Sequence, residues 1–150
     1  MQLVTAYLKG RRPSQVLATL QSLAVDVVLD VRRWAIYPVY FSPHPEKLRP
    51  PLIPFKQLLA EHNIEYRYEQ LLGNPSIFRK KYGDDWETMK QAYRHYVLET
   101  VSAIFDTYIA LFKTLWQNKV VCLSCYCPTD DPRYCHRFWL KELFEQNLEK

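Results

Sequence analysis

The run Val25-Asp26-Val27-Val28-Leu29-Asp30-Val31 constrains the fold more than any other segment. It is short, β-branched and almost wholly apolar. A strand with one wet face alternates apolar and polar residues, and this one does not. It fits a strand covered on both faces, as in a parallel sheet with helices above and below. The neighbouring segments agree. Gln2 to Leu8 reads as a first strand, Ile64 to Tyr68 as a third, and Lys119 to Ser124 as the last, with Val120-Val121-Cys122-Leu123 as its buried part.

Helical patterns fall between the strands. Ser14 is the expected N-cap of a helix that carries Val16, Leu17, Leu20 and Leu23 on one face. Pro54 suits the first turn of a helix reaching about Asn63. Trp86 to Leu98 is helical in composition, and Val101, Ile104, Phe105, Tyr108, Phe112 and Leu115 then recur at helical spacing as a core stripe. A closing helix starts near Cys135 and presents Leu140, Leu143, Phe144 and Leu148. The expected fold is an α/β three-layer sandwich: a mostly parallel sheet of about four strands flanked by helices, one domain over residues 1–150.

Two stretches lack such patterns. Arg32 to Ile53 holds Pro38, Pro43, Pro45, Pro50 and Pro51, which suit neither helix nor central strand. Its aromatics Trp34, Tyr37, Tyr40 and Phe41 argue against disorder, so it reads as an ordered loop covering a cleft. Gln70 to Asp85, with Gly73, Pro75 and Gly83, reads as a second irregular segment.

The composition, 48% hydrophobic and 24% charged, is that of an ordinary globular protein able to bury a core without staples. The apolar run Met1 to Leu8 precedes its basic residues, the reverse of a secretory signal, and no window approaches the ~20 apolar residues of a membrane span. These features predict a cytoplasmic protein with no membrane partner, whose cysteines are thiols or metal ligands rather than disulfides. A net charge of +4 does not by itself indicate nucleic acid. Lys47 with Arg49, and Arg79-Lys80-Lys81, are read first as solvated surface and second as a phosphate-facing patch.

In open parallel sheets, ligands bind beyond the carboxyl ends of the strands. Lys9 to Arg12 follow the first strand, Asp30, Arg32 and Arg33 end the second, and Glu69, Gln70 and Gly73 follow the third. The last strand runs into Cys125-Tyr126-Cys127-Pro128-Thr129-Asp130-Asp131-Pro132-Arg133-Tyr134-Cys135-His136-Arg137, the densest polar segment of the chain. Cys135, His136 and Arg137 open the closing helix, whose N-terminal N–H groups favour anions and thiolates.

Three functional readings compete there with a purely structural loop of buried thiols. In one, Cys125 or Cys135 is a nucleophile and His136 its base. Adjacent helical residues point about 100° apart, so Cys125 meets His136 more easily than Cys135 does. In another, Cys125, Cys127, Cys135 and His136 hold zinc. The ligand types suit it, but C-x-C followed by C-H is not the usual pair of C-x-x-C knuckles, and the favoured reading takes no metal. In the third, the segment binds an anion. Cys122 lies inside its strand and is read as core. Asp30 with Arg32 is read slightly in favour of a structural pair.

Asp30-Val31-Arg32, the proline-interrupted loop, Asn63-Ile64-Glu65-Tyr66, Leu72-Gly73, and a strand-ending cysteine followed by Cys135-His136-Arg137 together resemble the domain of unknown function 488 family, colinearly from about Val4 to Phe144. Tyr93 to Val97 is similar to the family's Tyr-containing helical segment. The resemblance implies a compact α/β sandwich with a shared site of Asp30, Arg32, Cys125, Cys135, His136 and Arg137, and it brings no activity. This chain departs from the pattern twice. Val39-Tyr40-Phe41 follows Pro38 where many members carry Ser-Arg, and Cys127 is an addition.

The leading expectation is a site for an anionic, phosphate-bearing ligand, a nucleotide or nucleic acid. Arg32, Arg137 and Asp30 would form its anion-binding part, and Cys125, Cys135 and His136 its thiol chemistry. A nucleic-acid-binding module without catalysis, stacking bases on Trp34, Tyr37 and Tyr40, is the second expectation. A metal-supported structural domain is the third.

Overall fold

The computed structural model describes residues 1–35, 39–43, 53–127 and 130–150. Its sheet has four strands: β1 (Gln2–Tyr7), β2 (Val27–Asp30), β3 (Glu65–Tyr68) and β4 (Val120–Cys125). Their order is β1-β4-β2-β3 and every pairing is parallel. The two central strands are therefore β4 and β2, the most continuously apolar segments of the chain, as burial on both faces requires. Register sets Tyr7 beside Cys125, and Asp30 beside both Ser124 and Tyr68. The carboxyl ends of all four strands thus lie along one edge.

Side chains alternate across the strands and feed two cores. On one face Val28 and Cys122 meet α1 (Pro13–Ser22) and α2 (Phe55–Glu61) through Val16, Leu17, Leu20, Phe55 and Leu59. On the other, Val27, Leu29, Val121 and Leu123 meet α4 (Trp86–His95), α5 (Ser102–Lys113) and α6 (His136–Leu148). There Phe105, Phe112 and Phe144 interlock, with Phe105 stacked on Phe144 at 5.0 Å and Phe112 edge-on to it at 4.8 Å. Helices on both sheet faces make the three-layer α/β sandwich expected from the sequence. Among the described residues, no helix is long and apolar enough to cross a membrane.

Three expectations change. The segment 70–85 is not irregular: it forms a 3₁₀ turn over Gln70–Leu72 and then α3 (Ser76–Tyr82). Pro75 and Gly83, taken from sequence as loop residues, bracket this helix instead. Proline occupies its N-cap, and glycine at φ 55° its C-cap. Ser14 does not cap α1. Arg12 holds that position, and its N–H donates to Gln15 Oε1 at 2.7 Å, with Pro13 in the first turn. Leu115 is not core. Because α5 ends at Lys113, the helical spacing lapses, Leu115 is 75% exposed, and Trp116 is buried in its place. In the segment read as a loop covering a cleft, Phe41 is fully buried against Phe55. Tyr37, Lys47 and Arg49 lie outside the described residues.

Candidate functional site

Strand β2 ends on a buried acid–base pair. Asp30 accepts from Arg32 Nη2 at 2.6 Å, from Arg32 Nε at 2.9 and 3.0 Å, and from the Tyr66 hydroxyl at 2.5 Å. Arg32 Nη2 also donates to the Phe41 carbonyl at 2.5 Å. Burial works against the Arg32 charge, but the Asp30 carboxylate overcomes it and holds the guanidinium firmly protonated. Burial and the same carboxylate drive the Tyr66 hydroxyl far above the ordinary phenol range. One Arg32 nitrogen, Nη1, is buried with no hydrogen-bond partner among the described residues.

The loop after β4 returns its cysteines to one point. Cys135 is the N-cap of α6, with extended backbone at φ −124°, ψ 131°. The helical 100° rule therefore does not separate it from His136, and the pair meets. Cys125 Sγ lies 3.0 Å from Cys135 Sγ, and the Cys127 N–H donates to Cys125 Sγ at 3.4 Å. Arg137 Nη1 donates to Cys135 at 3.1 Å and to Cys125 at 3.3 Å, while its Nη2 meets Asp130 at 3.0 Å. His136 Nε2 donates to the Val31 carbonyl at 2.7 Å. The ligand-capable atoms of Cys125, Cys127, Cys135 and His136 all lie within 4.8 Å of one another.

The electrostatics of this cluster are polarised. Burial disfavours a Cys135 thiolate, yet the neighbouring thiols of Cys125 and Cys127 and the adjacent His136 imidazole outweigh it, holding this thiol well below the usual range. Burial likewise disfavours a charged His136, but Cys127 and Cys135 push it up to about 10. Cys125 moves the other way: burial, then its thiol neighbours, raises it. Cys122 is buried core, as expected, and burial pushes it up to about 12. The sequence reading paired His136 more readily with Cys125; in the fold its ring lies within 4.8 Å of all three sulfurs.

Beside the cluster is a cavity of about 340 Å³. Lys9, Arg32, Arg33 and Arg79 line it together with Trp34, Asn74, Ser76, Cys125, Tyr126, Cys127 and His136. These residues come from the ends of β1, β2 and β4, from α3 and the turn before it, and from the start of α6, so the cavity sits at the carboxyl edge of the sheet. No carboxylate lines it among the described residues. A second hollow of about 780 Å³, toward Trp86 and Trp139, shares Asn74, Arg79, Cys127 and His136 with it. Arg33 is set by Tyr96, whose hydroxyl accepts from its Nη1 at 3.0 Å, and by Gly73, against which its backbone packs. The Trp34 indole is 62% exposed and anchored through Nε1 to Ser76 Oγ at 2.8 Å.

The six residues named from sequence divide. Arg32, Cys125 and His136 line the cavity. Asp30, Cys135 and Arg137 are fully buried behind it, and Arg137 faces the sulfurs rather than the hollow. Glu69 points away, accepting from Tyr108. Asn74 was missed altogether. Its only sequence signal is the Gly73-Asn74-Pro75 turn, which leads into α3. Arg79, read from sequence first as solvated surface and second as part of a phosphate-facing patch, reaches the cavity because α3 exists.

The family model for the domain of unknown function DUF488 matches residues 12–144. The chain belongs to this family. The DUF488 match spans the whole cysteine–histidine cluster and every cavity residue except Lys9. Comparison with curated proteins and comparison with solved structures each returned no match. The DUF488 description names no activity, so function has to be argued from the site.

Proposed function

We propose that this cavity binds a phosphate-bearing ligand of nucleotide size. The observation that carries the reading is its charge pattern: four cations converge on one hollow with no carboxylate among its described lining. Opposite charge in a partly buried cleft is screened far less than on open surface. Buried groups without partners add to it. Among the described residues, Arg32 Nη1 and Asn74 Oδ1 each find no hydrogen-bond partner, and such groups are costly unless a ligand or water satisfies them. Trp34 supplies an exposed aromatic face at the rim, suited to stacking a base.

The role expected of Arg137 passes to Arg33 and Arg79 in this reading, because Arg137 is spent on the sulfurs. Binding is favoured over thiol catalysis by Cys125 or Cys135. Attack requires the reacting atoms to approach to about 3–3.5 Å, and Cys135 has no exposed surface while Cys125 retains 1%. Of the aromatics that a base-stacking nucleic-acid reading invokes, Trp34 is exposed, Tyr40 packs on Phe41, and Tyr37 lies outside the described residues, so that reading has less support.

Thermal unfolding with added pyrophosphate or a nucleoside diphosphate tests this. A ligand at ten times its dissociation constant stabilises by about 1.4 kcal/mol, a rise of a few degrees for a chain of this size. The rise should shrink in Arg33→Gln and Arg79→Gln and with added salt. Trp34→Ala should weaken the nucleotide and leave pyrophosphate unchanged. No rise with either ligand at millimolar concentration overturns the proposal.

A further inference from the structure

We infer that Cys125, Cys127, Cys135 and His136 form a closed zinc site that pins the loop after β4 to the start of α6. The inference does not depend on phosphate binding in the adjacent cavity. Three thiol sulfurs and one imidazole form a donor set that zinc takes in four-coordinate structural sites. All four donor atoms already lie within 4.8 Å of one another, and three of the four residues are buried.

The surroundings of the donors point the same way. A carbonyl can only accept, so the 2.7 Å contact from His136 to Val31 O places a proton on Nε2 and turns Nδ1 inward. That Nδ1 is buried, with no hydrogen bond of regular geometry among the described residues. A ligating histidine is held in this way, its second nitrogen donating to a backbone carbonyl while the first binds the metal. The Cys127 N–H donates to Cys125 Sγ, and Arg137 Nη1 donates to both Cys125 and Cys135. Such donors stabilise thiolates.

Charge balance fits as well. Three thiolates, a neutral imidazole and Zn²⁺ sum to one negative charge, which the fully buried Arg137 neutralises. Tetrahedral Zn–S bonds of 2.3 Å put sulfurs about 3.8 Å apart. The Cys125–Cys135 separation of 3.0 Å therefore opens by under about 1 Å when the metal enters. The spacing C-x-C…C-H differs from a pair of knuckles because the fold, not the local sequence, closes the site: the end of β4 and the loop after it deliver Cys125 and Cys127, and the N-cap and first residue of α6 deliver Cys135 and His136.

The test uses the full chain, purified under reducing conditions without chelator. Elemental analysis is expected to find about one zinc per chain. After the metal is stripped, cobalt(II) alone should restore the visible absorption of a tetrahedral thiolate site. Cys127→Ser, at the least buried ligand, should keep the fold and weaken metal binding at least about tenfold. Cys122→Ala, at a core thiol outside the cluster, should leave it unchanged. The inference is overturned by a reduced, folded chain that carries no zinc and develops no cobalt absorption. It is equally overturned by a Cys125–Cys135 disulfide in the isolated protein, or by metal binding that Cys127→Ser does not alter. None of these readouts involves phosphate, so failure here is separate from failure of the cavity reading.

Discussion

His136 Nε2 and the carbonyl oxygen of Val31 stand 2.7 Å apart, joining the first turn of α6 to the residue after β2. Replacing His136 with Phe keeps a ring of similar shape and leaves that buried carbonyl without its donor. The expected loss is about 1–3 kcal/mol in the metal-free chain. Urea unfolding in chelator should show a lower midpoint at unchanged slope. An unchanged midpoint would mean that the contact contributes nothing.

The Asp30–Arg32 pair is enclosed, so breaking it is costly. Asp30→Asn leaves the guanidinium without its counter-charge and should destabilise the fold by about 3–5 kcal/mol. Tyr66→Phe removes one donor to the same carboxylate and should cost about 1.5–3 kcal/mol. The order of the two effects is the check. A larger loss in Tyr66→Phe than in Asp30→Asn would contradict the assignment of Asp30 as the hub.

Gly73 is fixed by close approach. A Cβ there would overlap the backbone N and Cα of Arg33, and backbone yields less readily than a side-chain tip. Gly73→Ala should cost about 1–3 kcal/mol and move Arg33 relative to the cavity, weakening pyrophosphate binding as well as stability. Lost stability with unaltered binding would separate Arg33 from the ligand.

Alkaline pH should unfold the chain by a definable route. Burial raises Cys122 to about 12 and drives Tyr66, Tyr93 and Tyr108 well above the ordinary phenol range. Above about pH 9 the unfolded chain releases these protons while the folded chain keeps them, so the unfolded state binds fewer protons and stability falls as pH rises. Each such group contributes a slope of at most about 1.4 kcal/mol per pH unit. Urea unfolding from pH 8 to 11 should show this decline, and Cys122→Ala should flatten its first part. A flat profile would refute it.

What the sequence revealed and what it hid follow from range. The Val25–Val31 run disclosed a doubly covered strand because burial on both faces removes alternation locally. Cys122 was legible as core for the same reason. Short helix α3 was not, because Pro75 and Gly83 mark a helix boundary and a loop with the same residues. The meeting of Cys135 with His136 was hidden because one sits at an N-cap in extended backbone and the other in helical backbone, a distinction made by where α6 begins. Asn74 and Arg79 join the site only because α3, packed on α4, reaches the cavity at the end of β4, which no local pattern records.

The account centres on an anion held at the carboxyl ends of the sheet. Soaking crystals of the full chain in tungstate, a heavy stand-in for phosphate, reads this directly. The anomalous signal should fall in the cavity within hydrogen-bond distance of Arg33 or Arg79, with Trp34 at its rim. A cavity that stays empty while tungstate occupies other basic surface would contradict the account.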